Sequence, residues 1–278
     1  MDKQELIDVF KDTEKIYSSK SYDWIVELNK KKTYIFKTEA KKYSSHYKNP
    51  MRIKVSNLDT LSAAKPYAKM AEIDDGETIV CILNFASATT PGGGVLKGSS
   101  AQEENLCRRT TLYPALNQQV CWDEYYNINR KNNTNIGSDT VIYTQDVLVF
   151  KDKDYNVLPK EEMFYTDVIT CAAPNLREKP NNQYNEGASK EQLHLTNEEL
   201  YNIHVKRARC ILNAALQNGV THLILGAFGC GAFQNDPTIV ARAYKDVLKE
   251  YTYDFEVVEF AIIGKNNNFE IFNKILKG

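Results

Sequence analysis

Two adjacent carboxylates, Glu103 and Glu104, lie shortly after three consecutive glycines in the stretch PGGGVLKGSSAQEENLCRR. The glycines at 92–94 carry no Cβ, so the backbone there can approach a ligand closely. Gln102 and the two glutamates begin a segment that is predicted to be helical. Glycine-rich backbone that holds a ligand, with carboxylates beside it, predicts acid–base chemistry on a bound molecule.

Neighbouring side chains on a helix point about 100° apart, so Glu103 and Glu104 cannot flank a bond from opposite sides. The usual carboxylate pair of glycosidases, about 5 Å or more apart, is therefore not expected. One carboxylate is expected to transfer protons while the other holds substrate hydroxyls. The helix N-terminus favours an ionised carboxylate, whereas burial beside a bound diphosphate favours a protonated one. We therefore expect an acid that is competent mainly when substrate is bound, rather than simple stabilisation of the helix dipole.

A second glycine-rich loop, GAFGCGAF at 226–233, lies between an apolar strand and a helix that Asp236 and Pro237 begin. Ligands of α/β proteins bind at the carboxyl ends of strands, where such backbone can present N–H groups to an anion. The loop matches neither a Walker A motif nor the dinucleotide-binding fingerprint. Alone, it fits phosphate binding and a tight turn equally well. Together with the first glycine run, it predicts two loops that clamp a diphosphate.

Two polar residues near the first glycine run each have two interpretations. Asn84 is the only side-chain amide in the apolar run TIVCILNFA, and a buried amide must be hydrogen-bonded. Its partner is either a ribose hydroxyl or peptide groups of the protein. Asp59 follows a strand and precedes a helix, so an N-cap is favoured over contact with a ligand.

Four larger side chains close to the glycine loops are further candidates. Phe228 and Phe233 are poorly explained as core residues, and one of them is expected to pack on a sugar or base. Arg108 and Arg109 could contact phosphates, but ion pairs or simple exposure to solvent are favoured.

The composition is that of an ordinary globular protein. The chain has 278 residues, 42% of them hydrophobic and 26% charged, with a net charge of −1. This charge provides no overall attraction to nucleic acid or membranes. The N-terminal stretch is charged and lacks a secretory signal, and no apolar run is long enough to span a membrane. A cytoplasmic location is therefore expected.

The cysteines and histidines do not show the spacing of a metal site. The six cysteines are scattered without a C-x-x-C pair, which fits buried free thiols in a reducing compartment. His46, His194, His204 and His222 are too far apart in sequence to suggest zinc ligands. Neither a metal nor a cofactor is expected.

From residue 51 onward, strands alternate with helices, which predicts an α/β sandwich with a mixed sheet. Strands are predicted at 52–56, 77–85, 140–144, 147–150, 167–173, 221–226 and 256–264, with a shorter one at 33–36. Helices are predicted at 2–18, 60–71, from 102, 197–217, from 237 and at 267–276. The asparagine-rich stretch 125–138 is expected to be a solvated loop. Residues 1–50 are expected to form an accessory segment packed on a catalytic domain at 51–278.

From residue 55 to the C-terminus the chain resembles bacterial-type poly(ADP-ribose) glycohydrolases, members of the macrodomain superfamily. The motifs that carry this resemblance are NLDTLSAA, VCILNFASATTPGGG, AQEENLCRRTTLYPAL, DTVIYTQDVLVFKD, VITCAAPNL and LILGAFGCGAFQNDP. The resemblance implies a macrodomain-like three-layer sandwich, with helices on both faces of a central mixed sheet and an N-terminal helical extension. It also implies cleavage of the ribose–ribose O-glycosidic bonds of poly(ADP-ribose).

The resemblance implies that Glu104 is the catalytic acid and base and that Glu103 positions ribose hydroxyls. It places the glycines at 92–94 along the terminal ribose and the diphosphate. It also places the second glycine-rich loop, 226–233, on the diphosphate, with Phe228 against the terminal ribose, and it places Asp59 in contact with adenine. The full set of predicted substrate-binding residues is Gly92, Gly93, Gly94, Gln102, Asn84, Asp59, Gly226, Ala227, Phe228, Gly229, Cys230, Gly231, Ala232 and Phe233. In one departure, Thr90 precedes Pro91 where the family often has asparagine, so one polar contact to ribose is in question.

The expected partners are a polymer of ADP-ribose, or an ADP-ribosylated macromolecule, as substrate and ADP-ribose as product. Cleavage from chain ends, a monomeric chain and no membrane contact are also expected. Three alternatives remain. The first is a module that only binds ADP-ribose, which does not need Glu104. The second is a hydrolase of mono-ADP-ribose on protein or nucleic acid or of an acyl ester of ADP-ribose, and the third is a metal-dependent ADP-ribosyl hydrolase.

Overall fold

A seven-stranded mixed sheet, in the order β1-β4-β5-β3-β6-β7-β2, forms the centre of the protein. The computed structural model describes residues 1–37, 47–74, 77–264 and 266–278. The five strands β5, β3, β6, β7 and β2 are parallel, whereas β4 pairs antiparallel with both β5 and β1. The strands are β1 (Thr33–Phe36), β2 (Arg52–Ser56), β3 (Val80–Phe85), β4 (Val141–Val149), β5 (Phe164–Cys171), β6 (His222–Leu225) and β7 (Val257–Ala261).

Helices cover both faces of this sheet. Along β3, Cys81 and Leu83 pack into the core beneath one helical layer, while Val80 and Ile82 pack beneath the other. This alternation follows from the two-residue period of a strand. The predicted three-layer α/β sandwich is therefore confirmed. The helices are α1 (Lys3–Tyr17), α2 (Asp23–Lys31), α3 (Thr60–Ala71), α4 (Gln102–Arg109), α5 (Leu112–Leu116), α6 (Gln119–Cys121), α7 (Asn127–Asn132), α8 (Asn197–Gln217), α9 (Pro237–Leu248) and α10 (Asn268–Lys277).

The strand β4 departs from the prediction of two strands separated by Gln145 and Asp146. It is one strand whose register with β5 shifts between Thr144 and Val147. Asp146 adopts φ +55°, and its backbone nitrogen donates to the Asp167 carboxylate at 2.9 Å. Gln145 and Asp146 thus form a β-bulge in β4, and the Asp167 side chain of the neighbouring strand β5 stabilises it.

The expectation of a solvated loop at 125–138 is wrong for residues 125–132, whereas residues 133–138 form neither helix nor strand and are exposed or half-buried, as expected. A five-residue π-helical segment, Trp122–Tyr126, leads directly into α7. Tyr125 and Tyr126 are fully buried in the core beneath α3 and α4. Burial of two aromatic side chains stabilises the helix against the low helix propensity of the asparagines that follow. The helix ends at Asn133, in the left-handed region that asparagine tolerates.

The N-terminal segment packs on the same layer as the predicted catalytic helix α4. The predicted helix at its start is confirmed as α1, and it begins with a capping box formed by Asp2 and Glu5. Helix α2 was not predicted, whereas β1 was, and it forms one edge of the sheet. Part of the proposed accessory segment, 38–46, lies outside the described residues, so the division at residue 50 stays a prediction. Among the described helices, none is both long and apolar enough to cross a membrane.

Candidate active site

A cleft of about 640 Å³ opens at the carboxyl ends of β3 and β6, which are parallel neighbours in the sheet. The first glycine loop (86–98) follows β3, and the second glycine loop (226–233) follows β6. Both loops line the cleft, so the expectation that they occupy neighbouring strand ends is confirmed. The predicted site residues that line it are Asp59, Gly93, Gln102, Glu103, Glu104, Ala227, Phe228, Gly229, Gly231, Ala232 and Phe233.

Gln102 attaches the first turn of α4 to the end of β3. Its Oε1 accepts a hydrogen bond from the Phe85 backbone nitrogen at 2.8 Å. Its Nε2 donates to the Leu83 backbone oxygen at 2.7 Å and to the Thr60 hydroxyl at 3.1 Å. Because both ends of the amide are bonded to the strand, the two glutamates that follow have a fixed position above the sheet edge.

Glu104 lies against the backbone of the first glycine loop. Its Oε1 accepts from the Gly94 backbone nitrogen at 2.8 Å, while its buried Oε2 has no hydrogen-bond partner among the described residues. Gly93 has φ +56°, and a Cβ there would lie 2.5 Å from Glu104 Oε1 and 2.9 Å from Glu103 Oε2. Only glycine combines this backbone conformation with this approach. The loop therefore holds one oxygen of Glu104, whereas the other oxygen accepts no hydrogen bond from a described residue.

Glu103 is held by protein groups at both oxygens. Oε2 accepts from the Ser87 backbone nitrogen at 2.7 Å, and Oε1 accepts from Asn84 Nδ2 at 3.3 Å. Burial, followed by the charge of the adjacent Glu104, raises the pKa of Glu103 well above its usual range. Asn84 also donates to the Thr170 hydroxyl at 3.2 Å and does not line the cleft. Of its two interpretations, the structure supports contacts within the protein.

The second glycine loop places its two phenylalanines differently. Phe228 is fully buried, with its ring 5.9 Å from that of Phe85 and 5.7 Å from that of His204. The expectation that it is poorly explained as a core residue is wrong, because the loop turns back over the end of the sheet. Phe233 is half-buried, and the Arg177 guanidinium lies 5.2 Å above its ring. Phe228 therefore lines the floor of the cleft and Phe233 its wall.

Asp59 is the N-cap of α3, as expected. It accepts from the backbone nitrogens of Leu61 and Ser62 and forms an ion pair with Arg109 Nη1 at 2.8 Å. Burial alone would raise the pKa of Asp59, but Arg109 and the Ser62 bonds outweigh it and lower the pKa. The favoured interpretation of Arg109 as an ion-pair residue agrees with this contact. Arg108, in contrast, is neither exposed nor paired with a described carboxylate.

Five predicted site residues, all of them described, do not line the cleft: Asn84, Gly92, Gly94, Gly226 and Cys230. Gly92 lies against the Tyr113 ring, and Gly226 lies between the Phe85 ring and the Ala261 backbone oxygen. Cys230 is buried, which raises the pKa of its thiol. Gly94 acts through its backbone nitrogen on Glu104. These five residues contact the residues around the cleft and do not form its surface.

The comparisons with known proteins identify the family. The family model of the microbial-type PARG catalytic domain, where PARG is poly(ADP-ribose) glycohydrolase, matches residues 5–152. The chain belongs to this family. None of the curated protein sequences compared with the chain matches it.

Solved PARG structures from two bacteria are similar over nearly the whole chain. The Thermomonospora curvata PARG is 27% identical with a TM-score of 0.80, covering 98% of this chain and 99% of that chain. The Deinococcus radiodurans PARG, in complex with ADP-ribose, is 29% identical with a TM-score of 0.75, covering 91% and 96%. A further Thermomonospora curvata structure, bound to the inhibitor ADP-HPD, is 26% identical with a TM-score of 0.78, covering 98% and 99%. The predicted family, fold and enzyme class are confirmed.

Several residues around this PARG site were not predicted. Asn185 accepts from the Ser87 hydroxyl at 2.8 Å and so supports the residue whose nitrogen holds Glu103. Asn185 and Arg177 belong to the irregular stretch after β5, where no motif or periodicity marks them. Thr90, in the position often occupied by asparagine, donates to the Glu186 backbone oxygen at 3.2 Å. Thr90 does not line the cleft, and its hydroxyl instead connects the first glycine loop to the backbone at Glu186.

The two buried histidines are also structural. His204 Nε2 lies 2.8 Å from Asn235 Oδ1, and burial lowers the pKa of His204 to about 4. Burial likewise lowers the pKa of His222 to about 4. Within the described part of the chain, no group of three or more His, Cys, Asp or Glu could hold a metal ion. His46 lies outside the described residues.

Proposed function

We propose that this enzyme hydrolyses the ribose–ribose O-glycosidic bonds of poly(ADP-ribose), with Glu104 as general acid and general base. The observation that carries this assignment is the state of the Glu104 carboxyl. One oxygen is held by Gly94, while the other is buried in the wall of the cleft without a partner. A buried carboxyl oxygen without a partner is costly unless a ligand completes it. ADP-ribose, which the Deinococcus radiodurans PARG binds, supports this choice of ligand.

In the first step, Glu104 gives a proton to the departing ribose oxygen as the glycosidic bond breaks. The terminal ribose then has oxocarbenium character at its anomeric carbon. In the second step, the Glu104 carboxylate takes a proton from a water molecule whose oxygen bonds to that carbon. The enzyme is returned to its starting protonation state. Because Gly94 fixes Oε1, Oε2 is the oxygen assigned to both proton transfers.

Glu103 is proposed to position ribose hydroxyls rather than to transfer protons. Its carboxyl is already oriented by Ser87 and Asn84, and its raised pKa favours the protonated form. A protonated carboxyl can both donate and accept hydrogen bonds, which suits a vicinal diol. The second glycine loop is proposed to hold the diphosphate, and Asp59 to lie near adenine. This last contact has to share the carboxylate with Arg109.

Cleavage from chain ends, a monomeric state and a cytoplasmic location are further proposals. The resemblance to the bacterial branch supports the first of these. Six free and buried cysteines agree with a reducing compartment. The size of the first products released from long polymer, and the mass of the protein in solution, test the first two.

The decisive experiment compares the wild type with Glu104→Gln for release of ADP-ribose from poly(ADP-ribose) and for ADP-ribose affinity. Loss of general acid–base catalysis is expected to slow release by about a hundredfold to ten-thousandfold, with affinity retained. Glu198→Gln is the matched control, because Glu198 occupies the first turn of α8 and is exposed. Undiminished release by Glu104→Gln would contradict the proposed role. Binding without release by the wild type would indicate a different ADP-ribose linkage or a binding module.

A further inference from the structure

Arg177 is a cation that lines the cleft and forms no ion pair with the described carboxylates. It follows β5 in the irregular stretch beyond Pro174 and borders the second glycine loop. Its Nε donates to the Ala232 backbone oxygen, and its guanidinium lies 5.2 Å above the Phe233 ring. No described carboxylate lies within ion-pair distance of it. One backbone bond and one aromatic ring therefore fix the guanidinium plane, while neither Nη group donates to a described residue.

The other arginines around the site bond to groups of the protein itself. Arg109 pairs with Asp59, and Arg108 donates to backbone oxygens beneath α4. Arg130 donates to the Thr89 backbone oxygen in the first glycine loop. Arg108 also has one Nη group without a described partner, but that residue is fully buried and does not line the cleft. Arg177 differs because it lines the cleft with neither Nη group bonded to a described residue, although burial lowers the pKa of its guanidinium more than the charge of Glu104 raises it. A partly desolvated cation in a fixed orientation is a feature that an anionic ligand would complete.

The backbone next to Arg177 has matching donors. Within the described chain, the backbone nitrogens of Gly231, Ala232 and Phe233 donate to no acceptor. A Cβ added to Gly231 would have no atom within 4 Å, so the loop borders open space there. Successive free N–H groups form a concavity that suits an anion. The Arg177 guanidinium, bonded to Ala232, lies at the side of this concavity.

We propose that Arg177 binds a phosphate oxygen of the terminal ADP-ribose unit and fixes the diphosphate against the second glycine loop. The inference rests on the proposed function, which supplies ADP-ribose as the ligand. The planar fork of the guanidinium matches two phosphate oxygens, and its stacking on Phe233 orients that fork in advance. Arg177 is thus a specificity residue for the diphosphate and takes no part in the proton transfers.

The test measures ADP-ribose affinity for the wild type, Arg177→Met, Arg177→Lys and Arg209→Met, each at several salt concentrations. Arg177→Met keeps apolar packing on Phe233 but loses the charge and is expected to weaken affinity about tenfold to a hundredfold. Arg177→Lys keeps the charge without the fork and should lie between this variant and the wild type. Affinity should also depend less on salt in Arg177→Met, which loss of packing alone would not produce. Arg209, a half-buried ion-pair partner of Glu250, controls for net charge.

Wild-type affinity in Arg177→Met, or an equal loss in Arg209→Met, would overturn the proposal. A raised KM for polymer with unchanged ADP-ribose affinity would also overturn it, because Arg177 would then serve a neighbouring unit. Thermal unfolding of the free proteins shows whether each variant folds. Since affinity is measured without turnover, weakened binding in Arg177→Met together with an inactive wild type would support this proposal while contradicting the proposed function.

Discussion

The guanidinium of Arg108 donates from Nε to the backbone oxygen of Leu6 at 2.9 Å, which joins helix α4 to helix α1. Arg108 is fully buried and lies four residues after Glu104, on the same helix. In return, the Thr13 hydroxyl of α1 donates to the Arg108 backbone oxygen at 2.6 Å. The helix that carries the proposed catalytic residue is therefore bonded to the N-terminal segment through both the side chain and the backbone oxygen of Arg108.

Arg108→Ala is expected to lower the free energy of unfolding by about 2–5 kcal/mol, because it removes a long buried side chain and its hydrogen bonds. Turnover per folded molecule should fall as well, since the position of α4 determines that of Glu104. Urea unfolding and ADP-ribose release measure the two effects. Arg242→Ala, at an exposed position of α9, should change stability by less than about 0.5 kcal/mol. If Arg108→Ala changed the free energy of unfolding and the turnover as little as Arg242→Ala does, the contact of α1 with α4 would not be needed to position Glu104.

Gln102→Glu tests the attachment of α4 to β3. The substitution replaces a donor by a carboxylate oxygen that faces the Leu83 backbone oxygen, at a contact that is now 2.7 Å. We expect a loss of about 1–3 kcal/mol of stability from the broken bonds and a fall in turnover from the displaced glutamates. Gln102→Met, which removes the bonds without adding a charge, is the companion variant. It should be less destabilising than Gln102→Glu, and the reverse order would contradict this account.

Gly93→Ala is expected to abolish turnover, because its Cβ would lie 2.5 Å from Glu104 Oε1. The methyl group would displace both carboxylates, and the φ of +56° adds backbone strain of about 1 kcal/mol. Release of ADP-ribose is measured together with thermal unfolding.

Gly219→Ala is the matched control for Gly93→Ala. Gly219 has φ +72° at the end of α8, and the nearest atom to an added Cβ there is Ile79 Cδ1 at 3.4 Å. This variant should lose stability through the same backbone strain yet keep its turnover per folded molecule. Retained activity in Gly93→Ala would mean that the glycine loop and the glutamates do not touch as described.

The sequence predicted the fold and the motif residues because each has a local signal. The apolar run of β3 and the capping box of α8 identify their elements without reference to the rest of the chain. Residues 122–132 were misread because their helix depends on burial of Tyr125 and Tyr126, a tertiary effect that the asparagine-rich composition hides. The π-helical segment before α7 has no sequence signal of its own.

The supporting residues of the site could not be predicted in the same way. Asn84 was singled out, but its role as a partner of Glu103 depends on how α4 packs over β3. Ser87 acts through its backbone N–H, which any residue except proline would supply. Asn185 and Arg177 reach the cleft from a stretch without helix or strand, so neither period nor motif marks them. Long-range contacts between irregular segments are not encoded in local pattern.

Asp167 is expected to make stability depend on pH in a direction unusual for an aspartate. It lies in β5, where it accepts from the Tyr143 hydroxyl at 2.5 Å and from the Asp146 backbone nitrogen at 2.9 Å. Burial raises the pKa of Asp167 from 3.8 to about 6. The folded protein therefore holds this proton more tightly than the unfolded chain does. The stabilisation is complete below pH 4 and is lost as the pH rises through about 6.

Asp167→Asn isolates this effect, because an amide resembles the protonated carboxyl and does not titrate. The free energy of unfolding of the variant, relative to the wild type, should rise by about 2 kcal/mol between pH 4 and pH 7. His204 and His222, whose pKa values are lowered to about 4, destabilise both proteins equally as the pH falls, so their effect cancels in the difference. Urea unfolding of the wild type and the variant at pH 4, 5, 6 and 7 measures this difference in the free energy of unfolding. A difference that stays constant or falls with pH would show that Asp167 ionises in the folded protein at least as readily as in the unfolded chain.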